Sequence, residues 1–211
     1  MDRVEKSVFM SYRRTHAPRA LAVFQNLTQH GYDVFFDYQG IASGDFETVI
    51  LENIRARAHF LILLTPSALE RCDGADDWLR REIEVALNNR RNIAPLMLEG
   101  FDFGTPAIAN HLTGKIDALR RYNALRLPME YFFEAMSRLR DRHLNVPLTA
   151  AIHPASMTAQ KAAKKDQSSA ATAVAVDGNE LTAQQWFEQG FNATDPNEKV
   201  RCYSEVIRRL L

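Results

Sequence analysis

The 211-residue chain balances 26 Lys+Arg against 26 Asp+Glu, and 46% of it is hydrophobic. That length and composition fit one globular domain with a tail or a small second unit, and the balanced charge speaks against nucleic acid, whose binding usually leaves a basic excess. Cys72 and Cys202 lie too far apart for a metal motif, no apolar run approaches the ~18 residues of a membrane span, and no long apolar stretch follows Met1. A cytosolic, reduced setting with no metal and no membrane partner is the expectation.

Ser7–Tyr12 is a short apolar strand that runs into Arg13-Arg14-Thr15. Leu21, Phe24 and Leu27 recur at helical spacing over Ala17–His30, and Gly31 is placed to stop that helix. Asp33–Asp37 is a second strand, followed by a loop at Tyr38–Asp45 that holds Gly40, Ser43 and Gly44. Phe46, Val49, Ile50 and Ile54 mark one face of a second helix. His59–Leu64 is continuously apolar and reads as a buried third strand. Asp76 or Asp77 caps a third helix to about Asn89; Asn92–Leu96 is a fourth strand, which Pro95 either weakens or places near an edge. Residues 99–121 show no clear period. Arg120–Leu125 reads as a short fifth strand, and Met129–His143 as a last helix with Phe132, Phe133, Met136 and Leu139 facing inward.

Strands alternating with helices of this length predict βαβ units: an α/β flavodoxin-like fold, a parallel sheet of about five strands with helices on both faces. Such sheets bind ligands beyond the carboxyl ends of their strands. The rim is then the Arg13-Arg14 turn, the 38–45 loop and the 65–78 loop. Neither GxGxxG nor GxxxxGK[ST] is present. Residues 146–180 turn to Ala, Ser, Thr and Lys and predict a flexible linker, with some helical tendency at Ala159–Lys165. Residues 181–211 predict a helical hairpin, with Trp186, Phe187 and Gly190 before Asp195-Pro196-Asn197 and Tyr203, Val206, Ile207 and Leu210 after it. The hairpin resembles a single or truncated tetratricopeptide repeat, which cannot bury its own face and calls for an unknown partner.

Five stretches in order resemble the TIR domain family: VFMSYRR at 8–14, VFFDYQGIASGDFETVI at 34–50, FLILLTPSALERC at 60–72, DWLRREIEVAL at 77–87 and NIAPLMLEGFDF at 92–103. Within the family they resemble the NAD⁺-cleaving members, over roughly residues 5–143. The resemblance implies a TIR domain at 1–145, cleavage of the nicotinamide–ribose bond to nicotinamide and ADP-ribose or a cyclic isomer, and Glu82 as the catalytic residue. It implies substrate contacts for Trp78, Arg13, Arg14, Phe46, Gly44 and Phe103. It also implies NAD⁺ as substrate with no further cofactor, self-association through the 38–45 loop (the family's BB loop), and a role as a defence or toxic effector.

The chemistry suits those residue types. The bond breaks through an oxocarbenium-like ribosyl transition state, as in glycoside hydrolysis. Nicotinamide leaves as a neutral molecule, so no general acid is required and one carboxylate can stabilise the developing charge. Trp78 stands four residues before Glu82, on the same helix face. Arg13 and Arg14 match a pyrophosphate. Pattern alone leaves other readings open: Glu82 as a solvated helix glutamate, Trp78 as a core aromatic, Arg13-Arg14 as a surface or structural pair, Phe46 as a helix-staple residue, and Phe103 as cover for the sheet edge. Two other functions compete. One is a non-enzymatic TIR interaction module. The other is a phosphoacceptor receiver, disfavoured because Leu64-Thr65, not an Asp, ends the third strand.

Overall fold

The computed structural model describes residues 5–37, 46–74, 76–98, 100–174, 186 and 196–210. Strands β1 (Ser7–Ser11), β2 (Asp33–Phe35), β3 (His59–Leu64), β4 (Asn92–Met97) and β5 (Leu125–Arg126) form one sheet in the order β2-β1-β3-β4-β5. Every neighbouring pair is parallel. The expected five-stranded flavodoxin-like sheet is therefore present.

Strand alternation sorts the core into two layers. Val8, Met10, Leu61 and Leu63 face one cluster with Phe24 and Leu27 of α1 (Ala17–Gln29) and Met136 of α5 (Phe132–Arg138). Phe9, Phe60, Ile62 and Leu64 face the other, with Ile50 and Ile54 of α2 (Phe46–Arg55) and Leu79, Ile83 and Ala86 of α3 (Trp78–Asn88). Phe9 stacks on Phe35 at 5.1 Å and on Phe60 at 5.6 Å, a cross-strand aromatic ladder under α2 and α3. Gly31 follows α1 at φ +80°, the left-handed stop that glycine supplies without steric cost.

Several expectations change. Pro95 lies in β4, which is flanked by β3 and β5, but β5 pairs only with Leu96 and Met97, so the sheet is locally an edge at Pro95. The fifth strand is Leu125–Arg126; the segment before it is a 3₁₀ helix, Gly114–Arg121, preceded by the one-turn helix α4 (Pro106–Ala109). Phe133 is 60% exposed, because α5 starts at Phe132 and its inward face is Phe132, Ala135 and Met136.

The largest correction concerns residues 146–180, expected as a flexible linker. Met157–Thr172 is a sixteen-residue helix, α6, capped by Ser156, whose side chain accepts from the Ala159 amide. It buries Ala159, Ala163, Asp166 and Ala170, and Ala163 and Ala170 join the cores on opposite faces of the sheet. The helix thus lies across the edge strand β2, where Gln167 Nε2 donates to the Val34 carbonyl at 2.9 Å. Its approach is tied down by Arg91 Nη2 to the Ala151 carbonyl at 2.7 Å and by the His153 amide to the Arg55 carbonyl at 3.1 Å. The first compact unit extends to Val176, and the second comprises Asp177–Leu211. Within the second unit α7 (Pro196–Leu210) is helical and the Arg201 guanidinium lies 6.0 Å from the Trp186 ring centroid. Apart from Trp186, the first half of the expected hairpin falls outside the described residues. Among the described residues no helix is long and apolar enough to cross a membrane.

Candidate active site

The sheet order makes β1 and β3 neighbours whose following strands lie on opposite sides, which is a topological switch point. Ser11 ends β1 there, on the same side of the strand as Phe9 and therefore toward α3. Helix α3 turns Leu79, Glu82, Ile83 and Ala86 inward at helical spacing. Three of these are apolar; the fourth brings a carboxyl to the strand end, where Ser11 Oγ donates to Glu82 Oε2 at 2.5 Å.

Glu82 is 8% exposed, which excludes the solvated helix glutamate that pattern alone left open. Burial pushes its carboxyl up to about 8; the Ser11 hydroxyl opposes the rise, the Asp37 charge adds to it, Arg13 opposes it and Asp77 adds to it. At neutral pH the resting group is mostly protonated.

Trp78 opens α3 and packs half-buried against Phe46, the first residue of α2, with ring centroids 5.0 Å apart and planes tilted by 33°. The Arg81 guanidinium covers the indole at 4.8 Å. Trp78 and Glu82 are one turn apart on α3, and Phe46 packs on Trp78. Phe103 follows β4 and meets the buried Phe101 edge to face at 4.9 Å. Gly44 lies outside the described residues.

The arginine pair divides, because the chain stays extended at Arg13 and alternation turns the two side chains apart. Arg13, expected to reach a pyrophosphate, is engaged on all three nitrogens. Nη1 and Nη2 form a fork on Asp77 at 2.8 and 3.0 Å, Nε donates to the Ala68 carbonyl at 2.7 Å, and Nη2 is 3.6 Å from Cys72 Sγ. The two side chains are only 10% and 7% exposed. Arg14 is 58% exposed and pairs with Asp37 at 2.8 Å, a surface contact that a phosphate could displace.

Asp77 also caps α3, accepting the Arg80 amide at 3.1 Å, and receives the Cys72 thiol at 3.2 Å. Burial works to raise the Asp77 carboxyl, but the hydrogen bonds from Arg13, the Arg80 amide and Cys72 hold it below the ordinary range. Burial and the bond to Asp77 push the Cys72 thiol up to about 12, so it remains a neutral donor. Glu84, on another side of α3, pairs with Arg80 at 2.9 Å.

Sequence reasoning missed Ser11, Asp37 and the role of Asp77. Ser11 carried a signal: it is the polar member of an inward-facing strand stripe at the carboxyl end of β1.

The model of the TIR domain family matches residues 8–127. The chain is similar to a Caenorhabditis elegans protein named NAD(+) hydrolase tir-1, 31% identical over 136 residues, which cover 63% of this chain and 14% of that protein. It is 37% identical over 100 residues to the Drosophila melanogaster NAD(+) hydrolase sarm1, covering 46% of this chain and 7% of that protein. It is 29% identical over 128 residues to the Danio rerio NAD(+) hydrolase SARM1, covering 59% of this chain and 17% of that protein. The chain therefore spans less than a fifth of the length of each of these relatives. With the family model matched over more than half of its residues, and a parallel sheet in the order β2-β1-β3-β4-β5 behind the match, the chain belongs to the TIR domain family.

Proposed function

We propose that the chain is an NAD⁺ glycohydrolase in which Glu82 stabilises the ribosyl cation as the nicotinamide–ribose bond breaks. The observation that carries this reading is the Glu82 carboxyl, buried on the inward face of α3 against Ser11 at the switch point, one turn from Trp78. Burial raises this carboxyl to about 8, and carboxyls displaced in this way cluster at functional sites. The names of the similar worm, fly and fish proteins support the substrate.

The reaction needs Glu82 ionised. The resting group is held neutral by burial, and a cationic nicotinamide ring entering beside it favours loss of the proton. The C1′–N bond then breaks with both electrons going to the nicotinamide nitrogen. Water adds to C1′ and gives up a proton, yielding ADP-ribose; attack by an adenine nitrogen instead yields a cyclic isomer. Trp78 and Phe46 offer aromatic faces for a flat ring, Phe103 is a further candidate, and Arg14 is the guanidinium left for the pyrophosphate.

The test is nicotinamide release from NAD⁺, followed by product mass over a range of protein concentrations. Wild type and Glu84→Ala should release nicotinamide, with a rate rising faster than protein concentration if copies complete one another's sites. Glu82→Ala should fall by on the order of 10²–10³ or more. Equal release by wild type and Glu82→Ala would reject the proposal. No release by wild type at any concentration, with TIR-dependent pull-down, would favour a non-enzymatic interaction module.

A further inference from the structure

We infer that Arg13, Asp77 and Cys72 form a clamp that sets the position of α3 against β1, and that Arg13 and Asp77 are positioning residues for Glu82 and Trp78 rather than contacts to substrate. This rests on the NAD⁺ glycohydrolase reading.

A carboxylate that acts by charge stabilisation must be held to within about half an ångström. The apolar stripe Leu79, Ile83 and Ala86 buries α3, but the attraction that buries it has no preferred direction. The clamp supplies the directional part. Arg13 leaves the end of β1 two residues after Ser11. Its fork takes both oxygens of Asp77, the capping residue immediately before Trp78. Its Nε holds the Ala68 carbonyl in the segment between β3 and α3. Asp77 Oδ1 also takes the first-turn amide of Arg80 and the Cys72 thiol. Strand end, connecting segment and helix start are thereby tied at one point, and Ser11–Glu82 is the second tie between the same two elements one turn further on. Lysine keeps the charge at position 13 but cannot make the fork. A substrate phosphate would have to pull Arg13 from a nearly buried ion pair, and breaking such a pair leaves an uncompensated buried charge.

The pair also screens itself from Glu82. The charged groups that bear on the Glu82 carboxyl are Arg13 from β1, Asp37 from the end of β2 and Asp77 from the start of α3, with the Ser11 hydroxyl in contact. Arg13 lowers its titration point and Asp77 raises it, so removing one charge should move it in one direction and removing the other should move it back.

The experiment compares wild type, Arg13→Lys, Arg13→Gln, Asp77→Asn and Cys72→Ala in two assays. NAD⁺ turnover should show kcat falling about 10²-fold for Arg13→Lys while KM changes less than about threefold. Cys72→Ala, which removes one donor, should show the same split at a smaller size. Carbon-13 NMR of side-chain-labelled glutamate, which needs no turnover, should show the Glu82 midpoint rise in Arg13→Gln, fall in Asp77→Asn and hardly move in Arg13→Lys. A KM raised tenfold at unchanged kcat in Arg13→Lys would identify Arg13 as a phosphate ligand and overturn the inference. So would a Glu82 midpoint indifferent to both charge removals. If wild type releases no nicotinamide, the enzymatic reading fails, and the NMR titration still decides whether the clamp governs Glu82. If Arg13→Gln does not fold, Arg13→Lys and Cys72→Ala carry the decision.

Discussion

Replacing Glu82 by glutamine should abolish nicotinamide release and at the same time stabilise the fold, by an amount that grows with pH. In the unfolded chain the carboxyl ionises near 4.5, whereas in the folded chain burial holds it neutral up to about 8. Between those values the unfolded state sheds the proton and the folded state does not. Wild type therefore loses folding stability as pH rises, by about 1.4 kcal/mol per pH unit. Glutamine keeps the shape of the protonated acid, and its carbonyl can still accept from Ser11. The gap between the two proteins should be near zero at pH 4.5, approach about 3 kcal/mol at pH 7 and level off near 5 kcal/mol above pH 8. Urea unfolding from pH 4.5 to 9 measures the gap. One tryptophan, Trp78, is in the first unit and the other, Trp186, in the second, so a Trp186→Phe background lets fluorescence follow the first unit alone. A gap that stays constant with pH, or a wild type that is the more stable protein at pH 8, would show that Glu82 is not held neutral and would remove the physical basis given for its role.

Two further outcomes follow from the same reasoning. Ser11→Ala deletes the 2.5 Å hydrogen bond that favours ionised Glu82, so the acid limb of the rate profile should move up by about one to two pH units, and activity lost at pH 7.5 should return at pH 9. An unmoved limb, measured as kcat/KM against pH, would mean that the hydroxyl does not tune the carboxyl. Asp166→Asn should stabilise the first unit by about 1–2 kcal/mol at pH 7 and not at pH 3.5. Asp166 is buried on α6 with one oxygen lacking a hydrogen-bond donor among the described residues. Burial, together with the charge of Asp37, raises its carboxyl to about 6, so wild type loses stability as pH climbs from about 4 to about 6. Thermal melts at the two pH values decide, and a destabilised variant would reveal a partner for the carboxylate.

The strands and helices that bury large side chains were legible in the sequence. The continuous run His59–Leu64, the helical spacing of Leu21, Phe24 and Leu27, and Gly31 after them each state one local rule without conflict. Helix α6 was not legible, because it is held by alanines and by the polar contacts of Gln167. A composition that lacks large apolar residues reads as linker even where a small face packs closely. Phe133 was misplaced because one step along a helix turns a residue by about 100°, so the start of α5 decides its face. At the site, pattern put Glu82 and Trp78 on one helix face, but only the family resemblance singled them out for chemistry. Arg13 and Arg14 look alike as a dipeptide. They separate once Arg13 is seen to continue the alternation of Phe9 and Ser11 toward α3, while Tyr12 turns to the other layer and packs on Phe36 at 5.1 Å.

Helix α6 also has a consequence in time. Its Gln167 closes on the Val34 carbonyl across 133 residues of chain, beyond the 8–127 span of the family match. During synthesis the β2 edge waits until nearly the whole first unit has been made before its cover exists, and an uncovered strand edge is where chains pair wrongly. A fragment trimmed at residue 145 to isolate the sheet would hold that early state permanently. It would leave β2 without its cover, an open edge on which a second chain can pair.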